Sequence, residues 1–250
     1  MGTMTNGLPK KLKTDSIVEA VVELQFRTSD VSEVIVGRLA GSQPWAEFTA
    51  VSLPAASLPP PLRRMDASMA HLPLLERRQN DQRFIRIGDQ VLSCHRTKPY
   101  VGWDLFGVEV HQAVDVLFAS GIQGLLITRI GLRYINAFTQ EEHGVASVDD
   151  LALKLSLSDR PIGVPFTLAF QRTLDGIGSA LVKVAEKALV LNPVPPNLAV
   201  LLDVDIFTAD GFETQNPNEV HDWIERAHEA EKREYIGMFT EQMKNRLVEI

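Results

Sequence analysis

Cysteine is nearly missing: Cys94 is the only one in 250 residues. An intrachain disulfide is therefore excluded, and so is a cysteine-rich zinc site. Positive charge is not in excess either. The chain carries 25 Lys and Arg against 32 Asp and Glu, a formal net charge of −7. A protein that holds nucleic acid through backbone phosphates needs the opposite balance. No apolar run approaches the ~18 residues that signal a membrane span. The opening MGTMTNGLPKKLK is polar and lacks the apolar core of a secretory leader. These absences lead to the expectation of a soluble cytoplasmic protein, with neither nucleic acid nor membrane as a partner.

What is present is a sizeable core. At 45% hydrophobic content the chain suits one α+β domain over residues 1–250, with two halves at 14–140 and 147–250 as the alternative division. SIVEAVVELQF, residues 16–26, alternates Val18, Ala20, Val22, Leu24 and Phe26 with Ile17, Glu19, Val21, Glu23 and Gln25, the pattern of a strand with one buried face. A helix follows, with Ser29 or Asp30 as cap and Gly41 as stop. Residues 51–64 contain Pro59, Pro60 and Pro61, which reads as polyproline II or an extended surface connection. RFIRIGDQVLSCHR, residues 83–96, reads as a hairpin turning at Gly88-Asp89, where glycine supplies a positive φ. Phe106, Val110, Ala113, Val114, Leu117 and Phe118 give the next helix its apolar side, and Gly121 ends it. A strand over 124–138 completes the first half. The order strand, helix, two strands, helix, strand is ferredoxin-like.

The second half reads as a short helix from Ser147, then strands at 165–174, 179–191 and 197–210, the first two joined through Asp175-Gly-Ile-Gly178. A long closing helix begins at Asn216-Pro217, with Glu219 in a capping-box position. Gly237 and Thr240 interrupt it, Thr240 capping a final segment. The expected architecture is a mostly antiparallel sheet of about seven strands with helices on one face.

LPKKLKTDSIVEAVVELQF, RIGLRYINAF and the closing LLDVDIF…VHDWIERAHEAEKREYIGMFTEQMKNRL together resemble a sporadically distributed family of uncharacterised prokaryotic proteins. Its members open on a Leu-Pro…Ile-Val-Glu-Ala strand and carry a Leu-Arg-Tyr-Ile-Asn strand. Ser16 stands where proline is usual. The resemblance supplies no catalytic residue. Sporadic distribution implies mobile genes, defence and toxin–antitoxin loci among them.

Arg129 and Arg133 share one face of the 124–138 strand with Gly131 between them. Glu19 and Glu23 show the same spacing, so a cross-strand ladder, Glu19 to Arg133 and Glu23 to Arg129, accounts for both pairs. The sharper alternative keeps an arginine free for a small anion, with Arg129, Arg133, Tyr134 and Asn136 as the ligand-binding set and Gly131 opening the backbone. Asp203 and Asp205 also share a strand face, suited to binding a metal together with the glutamates or to pairing with Lys183 and Lys187. Cys94 and His95 are sequence neighbours that point to opposite faces, which is wrong for a nucleophile and its base. His221, Glu225 and His228 share a helical side, read as solvated since no fourth metal ligand is visible. Gly176 and Gly178 lie in a hairpin, so they form no phosphate loop. Trp103, Trp223 and Tyr235 read as core or edge aromatics. No catalytic, metal or cofactor set emerges. The expectation is a non-enzymatic binding or interaction protein with a protein partner. The alternative is an enzyme or sensor that takes a small anionic ligand.

Overall fold

The computed structural model describes residues 12–154, 156–158, 160–161, 163–187 and 194–247. The alternation in the opening segment produces β1 (Ile17–Arg27), whose even-numbered residues from Ala20 to Phe26 are all buried. Helix α1 (Ser32–Ala40) follows. Its cap differs from the expected one: Val31 precedes the helix without a side-chain bond, while Ser29 and Asp30 bind the backbone of Gln123 instead.

The proline-rich stretch departs from expectation. It carries strand β2 (Thr49–Ser52), a short helix α2 (Pro60–Met65) and a single turn α3 (Ala67–Ala70). Three prolines do not forbid α2, because Pro60 and Pro61 occupy its first turn, where the missing N–H groups would have no intrahelical acceptor. The segment lies at the surface as expected, with residues 51–62 exposed or half-buried, but it is pinned at Arg63. Arg63 is 4% exposed and donates through Nε to Asp89 at 2.9 Å. Its guanidinium also reaches the Leu58 carbonyl and Ser32 Oγ.

Strands β3 (Pro73–Asn80), β4 (Arg83–Gly88) and β5 (Val91–Thr97) come next. Gly88 is needed for a reason other than its φ, which is not positive: a Cβ there would lie 2.4 Å from the Leu72 carbonyl oxygen. Helix α4 (Trp103–Ala119) buries Phe106, Val110, Ala113, Val114 and Leu117 as the periodicity requires, and Gly121 takes a left-handed φ of 71° just beyond it. Strand β6 (Leu126–Thr139) leads to α5 (Gln140–His143). The helix expected from Ser147 is only a turn over Val148–Asp150, capped by the Ser147 side chain. A two-residue hairpin, β7 (Ser156–Leu157) and β8 (Arg160–Pro161), precedes β9 (Phe166–Leu174), β10 (Gly178–Glu186) and β11 (Leu198–Phe207). The last residues of the strand expected over 179–191 lie outside the described residues. Helix α6 (Pro217–Gly237) starts at Asn216, whose side chain accepts from the Asn218 N–H. Glu219 receives the Thr214 hydroxyl, so it closes no capping box. Thr240 Oγ1 accepts from Met243 N–H and caps α7 (Glu241–Leu247).

Among the described residues the main sheet has nine strands rather than seven, in the order β2-β3-β4-β5-β1-β6-β11-β10-β9, every neighbouring pair antiparallel. Helices α1, α4 and α6 cover one face, with α6 over β11 and β6 and against α4. Leu202, Val204 and Ile206 of β11 and Val220, Trp223, Ile224 and Ala227 of α6 are buried together in this layer. Each large side chain so buried contributes ~1.5–3 kcal/mol. The opposite face carries the charged residues of the central strands. Among the described residues no helix is long and apolar enough to cross a membrane.

Candidate functional site

The open face of the sheet resolves the arginine question. Pairing of β1 with β6 sets Val21 opposite Arg133, Glu23 opposite Gly131 and Gln25 opposite Arg129. The register is therefore two residues from the expected one: the Glu23–Arg129 pair of the ladder still forms, on the diagonal at 3.5 Å, and the Glu19–Arg133 pair does not. Glu19 lies opposite Ile135 and bonds His95 Nδ1 at 2.9 Å instead of meeting Arg133. Arg133 leans toward β11 and holds Asp203 with two bonds of 2.7 and 2.6 Å. Lys183 also approaches Asp203, at 4.0 Å. The Arg129 guanidinium folds back over Gly131, so that a Cβ there would sit 2.9 Å from Nη1. From that position it reaches Glu23 at 3.5 Å, Asp205 at 3.4 Å and the Phe207 ring at 4.8 Å. Gly131 thus makes room for an arginine of its own strand, and both guanidiniums are matched to carboxylates.

Tyr134 and Asn136 neighbour these arginines in sequence, but strand parity sends them to the helical face, away from the ligand-binding set expected around Arg129 and Arg133. There Tyr134 borders a pocket of about 560 Å³ bounded by the start of β1, the approach to α4, β6 and α6, and Asn136 lies behind the Ser16 of its lining. All three tyrosines of the chain, Tyr100, Tyr134 and Tyr235, line it. The Tyr100 and Tyr134 hydroxyls are 2.9 Å apart. Ser16 Oγ donates to Asn136 Oδ1 at 2.9 Å; its single hydrogen is then used, so the Tyr235 hydroxyl, 2.6 Å away, donates to Ser16. The Asn136 side-chain amide nitrogen is buried without a partner among the described residues. Asp15 ties two pocket walls by accepting from the N–H groups of Ile17 and Tyr100.

Helix α6 adds the ionisable groups. The Trp103 ring stacks on His228, and its Nε1 donates to Glu225 at 3.2 Å. His228 Nδ1 is buried with no hydrogen-bond partner among the described residues, and burial, with the nearby Lys232 charge, pushes the imidazole down to about 3. Glu231 is 4% exposed and, among the described residues, has no hydrogen-bond or ion-pair partner. Burial pushes its carboxyl up to about 8; the Glu234 charge adds to the rise and Lys232 opposes it. Near neutral pH the pocket therefore holds an uncharged imidazole and a largely protonated carboxylic acid. Burial also raises all three tyrosine hydroxyls.

The side of α6 expected to be solvated is partly engaged. His221 Nε2 bonds Asp115 at 3.0 Å, the Nδ1 atoms of His221 and His111 are 2.6 Å apart, and His111 Nε2 meets Glu225 at 2.6 Å. With a carboxylate at each end, these three bonds need three protons on the two rings, one more than two neutral imidazoles carry. The chain of bonds clasps α4 to α6 beside Trp103. Among the described residues no His, Cys, Asp and Glu group is arranged to hold a metal ion. Cys94 lies in the core, where burial pushes its thiol up to about 12, while His95 occupies the open face.

Sequence reasoning does not assemble Ser16, Tyr100, Trp103, Tyr134, His228, Glu231 and Tyr235. They come from four separate segments, and no short-range spacing links them. The one available signal is Glu231 and His228 on the same side of α6 as Tyr235, apolar and ionisable residues mixed on a buried face.

No protein-family model matches the chain, and no curated protein matches it. Among solved structures, a lombricine kinase aligns over 97% of this chain and 71% of its own, with 10% identity and a TM-score of 0.33. At that score the likeness carries no argument.

Proposed function

We propose that the chain is a non-enzymatic binding protein whose ligand enters the pocket between β1, β6, α4 and α6. The observation that carries this reading is the convergence on one cavity of all three tyrosines with Glu231 and His228, a carboxyl and a ring Nδ1 that have no partner among the described residues. Buried polar groups cost free energy unless they are bonded, and a ligand in the cavity would satisfy Glu231. An apolar pocket with a few convergent polar groups and perturbed ionisable residues is the usual form of a small-molecule site. Binding is favoured over catalysis because Ser16 has no base beside it, its hydroxyl being engaged by Asn136 and Tyr235. A small anion held by Arg129 and Arg133 has less support, since both already face carboxylates on the other side of the sheet.

The segment from β1 to β6, with its sheet order β4-β5-β1-β6, supports a ferredoxin-like core as the scaffold of this site. The resemblance of the chain adds a mobile defence or toxin–antitoxin locus as the proposed setting. A thermal-shift screen of neutral, cationic and anionic small molecules tests the binding reading. Hits should raise the Tm of the native chain and lose their effect in Val101→Trp, which fills the pocket from its exposed rim. Hits that persist undiminished in that variant would place the ligand elsewhere.

A further inference from the structure

Resting on the pocket reading above, we infer that the ligand is a protonated amine, its ammonium group seated against Glu231 and the aromatic walls of Tyr100, Trp103 and Tyr134. Charge is the first argument. Among the described residues Asp15, Asp104, Glu225 and Glu229 line the pocket beside Glu231, and Lys232 is the one lysine or arginine there. The second rests on burial and bonding rather than on charge: Glu231 is more than nine-tenths buried, lines the cavity and has no hydrogen-bond or ion-pair partner among the described residues. His228 beside it is 9% exposed and has a buried ring nitrogen with no partner. An ammonium N–H is the complement of an acid that can ionise, and an imidazole that stays neutral beside it adds no opposing charge. The third argument is the aromatic lining, whose ring faces attract cations most strongly where water is excluded. A carboxylate or phosphate ligand would meet the same acidic groups as repulsion.

Ammonium binding ionises Glu231 and releases its proton to solvent, so affinity should follow that titration. The groups acting on Glu231 are Lys232 and Glu234 of its own helix, with Tyr235 also on α6. From the other elements come Tyr134 of β6 and Tyr100 ahead of α4. Asp15 at the pocket wall and Glu109 of α4 act on the tyrosines that face it.

Calorimetric titration of the full chain with three probes of one skeleton tests the inference: 2-phenylethylammonium, 2-phenylethanol and phenylacetate. The ammonium should bind at least ~10-fold more tightly than the alcohol, and phenylacetate more weakly than either. Its affinity should rise ~10-fold or more from about pH 6.5 to about pH 8.5, with proton release seen as a dependence of the heat on buffer. Glu231→Gln, which keeps the shape of the protonated acid, should abolish both the preference and the pH dependence. Equal binding of ammonium and alcohol would overturn the amine inference and leave the pocket reading standing. Preference for phenylacetate would overturn it in favour of an anion. Silence from all three probes, in a chain with a cooperative melt, would overturn the amine inference. If the thermal-shift screen also gives no hit sensitive to Val101→Trp, the pocket reading falls with it.

Discussion

The Trp103 indole lies flat on the His228 imidazole, ring centroids 4.1 Å apart and planes 9° from parallel. The contact joins the first residue of α4 to the middle of α6 and forms one wall of the pocket. It also keeps water from a ring that has no bonded partner at Nδ1. His228 should therefore stay neutral far below the range of a free imidazole, down to about 3. NMR titration of the His228 ring protons should show no protonation step between about pH 7 and about pH 5, the interval in which an ordinary histidine titrates. In Trp103→Ala the step should appear and the ring-current shift should vanish. A native His228 that titrates normally would mean that the stack does not exclude water.

Glu231 and His228 give stability opposite pH dependences. Glu231 has an ordinary value of 4.5 and is raised to about 8 in the fold. Between these values the unfolded chain has lost a proton that the folded chain keeps, so stability falls as pH rises through that window. His228 is lowered from 6.5 to about 3. Below 6.5 the unfolded chain gains a proton that the folded chain refuses, so stability falls as pH drops. The two slopes oppose each other from 4.5 to 6.5, which leaves a plateau there. Urea denaturation against pH should find Glu231→Gln more stable than native at about pH 8, by on the order of 2–4 kcal/mol, since each tenfold change in proton affinity between folded and unfolded chain corresponds to ~1.4 kcal/mol. His228→Phe, which retains an aromatic face for Trp103, should flatten the acid limb. If Glu231→Gln is less stable at alkaline pH than native, the carboxyl is not buried unpaired.

Legibility in the sequence follows the reach of each signal. β1, α4 and the start of α6 are legible because their periodicity and caps are local. β3 is not legible as a strand: Glu76, Arg77, Arg78 and Gln79 hide the alternation, since charge points both ways. Arg77 donates to the carbonyls of Trp45 and Ala46, while Arg78 and Arg86 enclose a buried Glu76. The pairing of β1 with β6 follows from the order of elements, but its register does not. The bulges between Ile17 and Glu19 and between Gln25 and Phe26 leave no trace in spacing. The pocket is the least legible feature because it is a property of four segments meeting.

The buried Arg63–Asp89 pair should dominate the energetics of the proline-rich segment. The side chains are 4% and 10% exposed, and Ser32 completes the network. Removing the arginine leaves an uncompensated charge in the interior, so Arg63→Ala should cost ~3–5 kcal/mol. Replacing both members by apolar residues, Arg63→Met with Asp89→Leu, should recover much of that loss, because the desolvation of both charges is removed with their attraction. Limited trypsin digestion gives a second measure: the bond after Arg63 should resist cleavage in the native chain and open in Asp89→Ala. Rapid cleavage after Arg63 in the folded native protein would contradict a docked segment.

On the open face, coupling should follow the diagonal contacts and not the residues nearest in simple strand alignment. Arg133 and Asp203 share two short bonds, and Asp203 is 4% exposed at its side chain. Charge-assisted bonds of this kind contribute ~1.5–3 kcal/mol when one partner is removed, with Lys183 at 4.0 Å offsetting part of the loss. A double-mutant cycle of Arg133→Ala with Asp203→Ala should therefore show coupling of ~1 kcal/mol or more. The cycle of Glu19→Ala with Arg133→Ala should be additive within ~0.5 kcal/mol, because Glu19 is bonded to His95. Gly131→Ala sharpens the contrast. The new methyl group meets only the far end of the Arg129 side chain, and a glycine within a strand is already a weak point, so the variant should fold normally while loosening Arg129 from Glu23 and Asp205. Strong Glu19–Arg133 coupling, or a Gly131→Ala chain that fails to fold, would restore the straight ladder and require another reason for the glycine.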